Sequence, residues 1–168
     1  MSTQLSETNP YGVVLKARSV SGFWLSETQY AKSRHVPSHD HDVGICCIAL
    51  SGTCTELYRN RARDIKPLTV DFLPAGHTHS LQFRSDGVRA FSVDIPGQWL
   101  ERARDYSLDL GHSIHSRTGT ATNLVMRLYR EFYSLDSASS LAIEGLGLEL
   151  LAEISRQQSH TTERRIPK

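Results

Sequence analysis

His39-Asp40-His41-Asp42-Val43-Gly44-Ile45-Cys46-Cys47-Ile48-Ala49-Leu50 and, further along, Pro74-Ala75-Gly76-His77-Thr78-His79-Ser80-Leu81-Gln82-Phe83 are the two stretches that decide how this chain is read. Each couples histidines to apolar residues that alternate as they do on a β-strand. Side chains on a strand repeat every two residues, so His39 and His41 are expected on one face. If the strands close into a barrel, His79 meets them there. Three imidazoles in one cavity form a donor set for a divalent metal or a polar ligand.

Working outward, the segments between Val13 and Val93 are short, rich in Val, Ile, Phe, Tyr and Thr, and separated by turn residues. The turn signals are Ser51-Gly52, Arg59-Asn60, Pro74-Ala75-Gly76 and Ser85-Asp86-Gly87. Strands are expected at Val13 to Ser19, Gly22 to Tyr30, His39 to Leu50, Gly52 to Tyr58, Arg61 to Ile65, Leu68 to Leu73, His79 to Phe83 and Arg89 to Ile95. Their regular spacing favours a sandwich or small barrel. After Pro96 the period changes. Trp99, Leu100, Ala103 and Tyr106 recur at helical intervals, as do Leu124, Leu128, Phe132 and Leu135, with a loop carrying His112 and His115 between them. A last helix opens near Ser139 or Ser140 and carries the stripe Ile143, Leu146, Leu150 and Ile154. Gly145 and Gly147 would each weaken that helix by about 1 kcal/mol in isolation, so close packing is expected to offset them.

The 168 residues are enough for one domain with a sizeable core, and 19 basic against 18 acidic residues leave a formal charge of +1. That balance supplies no positive field to hold nucleic acid by counterion release, so direct DNA binding by this segment is not expected. No apolar run reaches the length of a membrane span, and Met1 to Pro10 lacks the basic and apolar regions of a signal peptide. A cytoplasmic protein is the resulting expectation. Cys46, Cys47 and Cys54 form an odd set in one short stretch, unlike a secreted disulfide framework, and are expected as reduced thiols.

The spacing His39-x-His41, with Ile45 and Gly52 following, and Pro74-x-Gly76-x-x-His79 resembles the two motifs of the cupin superfamily over Arg34 to Phe83. The resemblance implies a mainly β fold with an α tail. A cupin-like antiparallel jelly-roll barrel would be followed by about three C-terminal helices, with His39, His41 and His79 converging inside. Metal-bearing cupins carry a glutamate where this chain has Ile45. That loss weighs against a catalytic metal, which needs anchored ligands and partners that orient the imidazoles. Cys47 shares the strand face of Ile45 and could supply a fourth ligand, favouring zinc, with Asp42 or His77 as other substitutes.

A second resemblance spans the chain. His39-Asp40-His41-Asp42, Leu50 to Glu56, Phe72 to His77 and Phe91 to Asp94, followed by helices and a basic Arg164-Arg165-Ile166-Pro167-Lys168, look like the N-terminal half of AraC-type transcription regulators. The resemblance implies a sensor barrel at 13–96 behind a flexible segment at 1–12. It further implies a helical dimerisation region at 97–158 and a linker at 159–168 toward a helix-turn-helix DNA-binding domain absent from this chain. The effector pocket is then expected at His39, His41, Ile45, Cys47, His79 and Trp24. The homodimer contact is expected at Ile143, Leu146, Gly147, Leu150 and Ile154. Partners would be a small-molecule effector and a second copy, with DNA reached only through the absent domain and no membrane. The competing class is a stand-alone metallo-cupin enzyme, an oxygenase or isomerase, holding its metal with His39, His41 and His79. No residue of the motifs offers a clear general base, so no catalytic residue is assigned. Trp24 reads more readily as core than as a stacking surface, and His35, Tyr58, Arg59, His112 and His115 as surface residues.

Overall fold

The structure is a computed structural model that describes residues 11–59 and 61–163. In chain order its elements are β1 (Val13–Val20), β2 (Phe23–Tyr30), β3 (His35–His39), β4 (Gly44–Tyr58), β5 (Arg61–Ile65), β6 (Val70–Leu73), β7 (His79–Ile95), α1 (Gly97–Asp105), β8 (Ile114–Ser116), α2 (Thr120–Tyr133) and α3 (Ser139–Glu163). Every strand pairing is antiparallel. The sheet runs β1-β2-β7-β4-β6-β8, with β3 added on β7 and β5 on β4. This is the jelly-roll barrel with C-terminal helices that the sequence motifs imply.

The two central strands carry the architecture. β4 and β7 pair along their whole length, from Gly44 opposite Ile95 to Leu57 opposite Ser80, with register shifts near Ser51 and Gly52. Each replaces two strands expected from the turn signals at Ser51-Gly52 and Ser85-Asp86-Gly87, because there the chain bends without reversing. Gly52 has φ +78°, and a Cβ on it would lie 1.8 Å from the Gly87 carbonyl oxygen, so the bend demands glycine. β4 and β5 do pair as a hairpin, with Tyr58 opposite Arg61 and Glu56 opposite Arg63.

Alternation along β2 sorts the two faces. Phe23 and Leu25 are buried on the outer face, where α1, α2 and α3 pack, while Trp24, Ser26, Thr28 and Tyr30 line the barrel interior. The large core lies between sheet and helices and unites Phe23, Ile48, Phe72 and Phe91 with Leu128, Phe132 and Leu150. Trp99 of α1 stacks on Phe23 with ring centroids 5.2 Å apart and donates its indole N–H to the Ser21 carbonyl at 3.2 Å. A smaller apolar cluster of Val36, Cys54, Phe83 and Val88 closes the interior.

One charged residue joins the layers. Glu27 is fully buried on the helix side of β2 and accepts hydrogen bonds from Arg89 of β7 and from Tyr133 of α2, with the Tyr129 hydroxyl at 3.4 Å. A buried carboxylate persists only when paired in this way, and removing a partner would cost several kcal/mol.

Several expectations fall differently. Ile143, Leu146, Gly147, Leu150 and Ile154 face the chain's own barrel, and a Cβ on Gly147 would meet the Phe23 ring at 2.4 Å. The assigned dimer stripe is thus spent on the monomer's core, since the outer face of the sheet is itself apolar and must be covered. Ile114–Ser116, expected in a loop, is a strand that extends the barrel beyond residue 96 by pairing with β6. Leu135 lies past the end of α2 and is exposed. α3 continues to Glu163, so residues 159–163 of the expected linker are helical, while Arg164 to Lys168 and the first ten residues lie outside the described part. No described helix is long and apolar enough to cross a membrane.

Candidate functional site

The site begins with a correction to strand geometry. His39 and His41 do not share a strand: His39 closes β3, and His41 lies in the connection to β4. They meet His79 by another route. β3 pairs with β7 so that His39 stands directly opposite His79, and the Gly76 N–H donates to the His41 carbonyl at 2.9 Å, tying the two motifs together. The nearest ligand nitrogens of His39, His41 and His79 all lie within 4.8 Å of one another, with Nε2 of His41 and His79 at 3.3 Å.

Each ring has a reason for its orientation. His79 is buried and donates Nδ1–H to Glu56 Oε1 at 2.8 Å, which turns its Nε2 toward the other histidines. Nδ1 of His39 bonds the Pro37 carbonyl at 2.9 Å, leaving its Nε2 available. Burial, reinforced by the neighbouring imidazoles, lowers His41 to about pKa 4, and burial also lowers His39. Near neutral pH both are held neutral, the form that binds metals.

Glu56 is the residue that the motif comparison misses. The resemblance implies a carboxylate where this chain has Ile45, and a carboxylate stands eleven residues later on the same strand. Glu56 is 1% exposed and is held from the other side by Arg63, whose Nε donates at 2.9 Å. Burial alone would raise its pKa, but His79 and Arg63 together pull it below the usual carboxylate value. Its signal was legible: the β4–β5 pairing sets Arg63 opposite Glu56, and an acid within an apolar strand requires such a partner.

The six residues expected in the pocket all line one cavity of about 430 Å³ inside the barrel. Trp24 faces this cavity rather than the helix-side core. Cys47 lines it too, yet stands outside the histidine group, and burial and Asp71 raise its thiol well above the ordinary value. His77 turns away to stack on Tyr58 at 4.0 Å, so Tyr58 is half-buried rather than fully solvated, and Asp42 is exposed. His115 is not a bare surface residue, since its Nδ1 bonds Asp71 at 2.6 Å. The three cysteines are free, and burial pushes the Cys54 thiol up to about 12.

A barrel with helices on one face, a cavity on the other and histidines at its mouth defines a cupin-type ligand-binding domain. The sequence matches the family of AraC-like ligand binding domains over residues 21–151, and the chain belongs to that family. Among solved structures it is similar to ToxT from Vibrio cholerae, with TM-score 0.62 and 10% identity over 80% of this chain and 57% of ToxT. The chain thus spans a little over half of ToxT's length. It also resembles, at TM-score 0.43 and 14% identity, a cupin superfamily protein from Desulfitobacterium hafniense, over 50% of this chain and 74% of that one. Oxalate decarboxylase from Bacillus subtilis aligns at TM-score 0.44 and 12% identity over 61% of this chain and 34% of the enzyme. These likenesses concern the fold. No curated protein matches the sequence closely enough to add a relative.

Proposed function

We propose that the chain is the sensing half of an AraC-type transcription regulator, binding a small effector in the barrel cavity. The observation that carries this reading is a cavity of about 430 Å³ inside the barrel of a member of that ligand-binding family. Its volume falls in the range of small-molecule sites. DNA would be reached through a helix-turn-helix domain beyond Lys168, and a cytoplasmic location goes with that role. Effector binding acts on DNA only if the cavity's occupancy differs between two arrangements of the whole regulator.

The histidine cluster fits a divalent metal. Three nitrogen donors converge, and Glu56 orients one of them, which suits zinc with an open coordination position. His39, His41 and His79 would hold the ion, and a bound zinc would offer a Lewis-acidic anchor for an effector. The ordering, burial and tautomers of the imidazoles are the chain's own contribution. Self-association, when the helices take part, uses the outward sides of α2 and α3, because the inward stripe is buried in the core.

Elemental analysis of purified protein, followed by thermal-shift screening of metabolites with and without chelator, tests both parts. One zinc per chain and a saturable rise in melting temperature with an effector are expected. In the full-length regulator, alanine at His39, His41 and His79 is expected to abolish the effector response of a reporter while the protein stays folded. An unaltered response would reject the sensing role of this cluster.

A further inference from the structure

The cavity floor has a chemistry of its own, apart from the histidines. Two adjacent rungs cross β2, β7, β4 and β6. One is Trp24, Asp94, Ile45 and Leu73, and the other is Ser26, Ser92, Cys47 and Asp71. All eight side chains line the cavity. Two of them are carboxylates, and neither is fully satisfied. Asp94 is half-buried, and among the described residues no hydrogen bond or ion pair reaches it. Asp71 is 2% exposed; its Oδ1 is taken by His115, while Oδ2 is buried without a partner.

No lysine or arginine lines the cavity among the described residues. Arg63 approaches from outside, bonded to Glu56 and 3.9 Å from Asp71. Unsatisfied buried carboxylates are costly, and a ligand that pairs with them recovers the loss. Trp24 adds a specific feature, since it stands opposite Asp94 across β2 and β7, both side chains line the cavity, and cross-strand neighbours stand about 5 Å apart. A cation placed there would meet both a π-face and a negative charge. The small side chains Ser26, Cys47, Ala90 and Ser92 leave the room for it.

We propose that this floor selects a small organic ammonium compound, a primary or quaternary amine with an apolar body, with Trp24 and Asp94 receiving the charged nitrogen and Asp71 a further donor. The assignment rests on the sensing function proposed above and narrows its ligand class. At this floor a carboxylate ligand would face two acids with no lysine or arginine among the described lining residues, and a neutral alcohol would leave their charge unmatched.

Isothermal calorimetry and thermal shift on the 168-residue chain, with phenethylamine, phenylethanol and phenylacetate as probes of one skeleton and different charge, test this. Phenethylamine is expected to bind at least about tenfold more tightly than the alcohol, with no binding of the acid. Asp94→Asn and Trp24→Leu are each expected to weaken the amine about tenfold and leave the alcohol unchanged. Circular dichroism confirms that the variants remain folded. The assignment is overturned if phenylacetate or phenylethanol binds as tightly as the amine, or if both folded variants keep full amine affinity. Either result leaves the sensing function intact, since the cavity would still take a ligand. If none of the three probes binds, the ammonium assignment fails, while the sensing function is decided separately by the reporter response of the histidine variants.

Discussion

Glu56 accepts from His79 on one oxygen and from Arg63 on the other, and this double attachment fixes the His79 ring within the histidine group. Replacement by glutamine keeps the shape and removes the charge. Glu56→Gln is expected to weaken zinc binding about 10- to 100-fold, as read by titration against a chromophoric chelator, with little change in fold. His79→Ala should remove binding altogether. Asp94 presents the opposite case, because burial without a partner raises it to about pKa 7. The folded carboxyl is then neutral at acid pH and costs nothing there. Between about pH 4 and pH 7 the unfolded chain ionises first, so this residue's contribution to stability declines as pH rises and stays low above 7. A rise of that size corresponds to at most about 4 kcal/mol, and access of water to the cavity reduces it to roughly 2. Asp94→Asn should therefore raise unfolding stability by about that amount at pH 8 and change it little at pH 4, as measured by urea denaturation.

Within α3, two glycines with the same sequence character have opposite environments. A Cβ at Gly145 meets nothing within 4 Å, whereas at Gly147 it would press on the Phe23 ring, itself stacked on Trp99. Gly145→Ala is expected to stabilise the protein by about 0.5–1 kcal/mol through helix propensity. Gly147→Ala should destabilise it by about 1–3 kcal/mol through overpacking, both read as shifts in the denaturant midpoint. The helical period identified the stripe around Gly147 but not what it covers. An apolar face is the same in sequence whether it meets a partner or the chain's own sheet. The strands show a related limit. Alternation placed most of them correctly, yet it merged His39 and His41 into one strand and split β4 and β7 at bends, because a turn residue marks both a reversal and a kink.

For the whole molecule, ligation is linked to folding. A metal or effector that binds only the folded barrel should stabilise it by about 2.7 kcal/mol at a hundredfold excess over its Kd. The melting temperature is accordingly expected to rise with ligand concentration and to return to its starting value when zinc is stripped by chelator. Absence of any shift with zinc would reject the metal site. The shift should be the same at low and high protein concentration if the stability resides in the monomer's core. A concentration-dependent melting temperature would instead show that association contributes.

What the sequence determined by itself was the barrel with its helical tail, and the three histidines that enter it, because hydrophobic period, turn chemistry and motif spacing are local properties of the chain. The period of two put Cys47 on the strand face of Ile45, whereas Trp24 read more readily as core and only the tertiary structure turns it to the cavity. Glu56, Asp71 and Asp94 are acids on three strands, and their joint presence in one cavity depends on strand order and register, which no local pattern encodes. The same holds for Glu27, whose partners Arg89 and Tyr133 are distant in sequence. Only the tertiary structure decided that the α3 stripe belongs to the core, that His115 leans on Asp71, and that the lost carboxylate at Ile45 is answered by Glu56. Each is a pairing across space, and its energy comes from burial that exists only once the layers have closed.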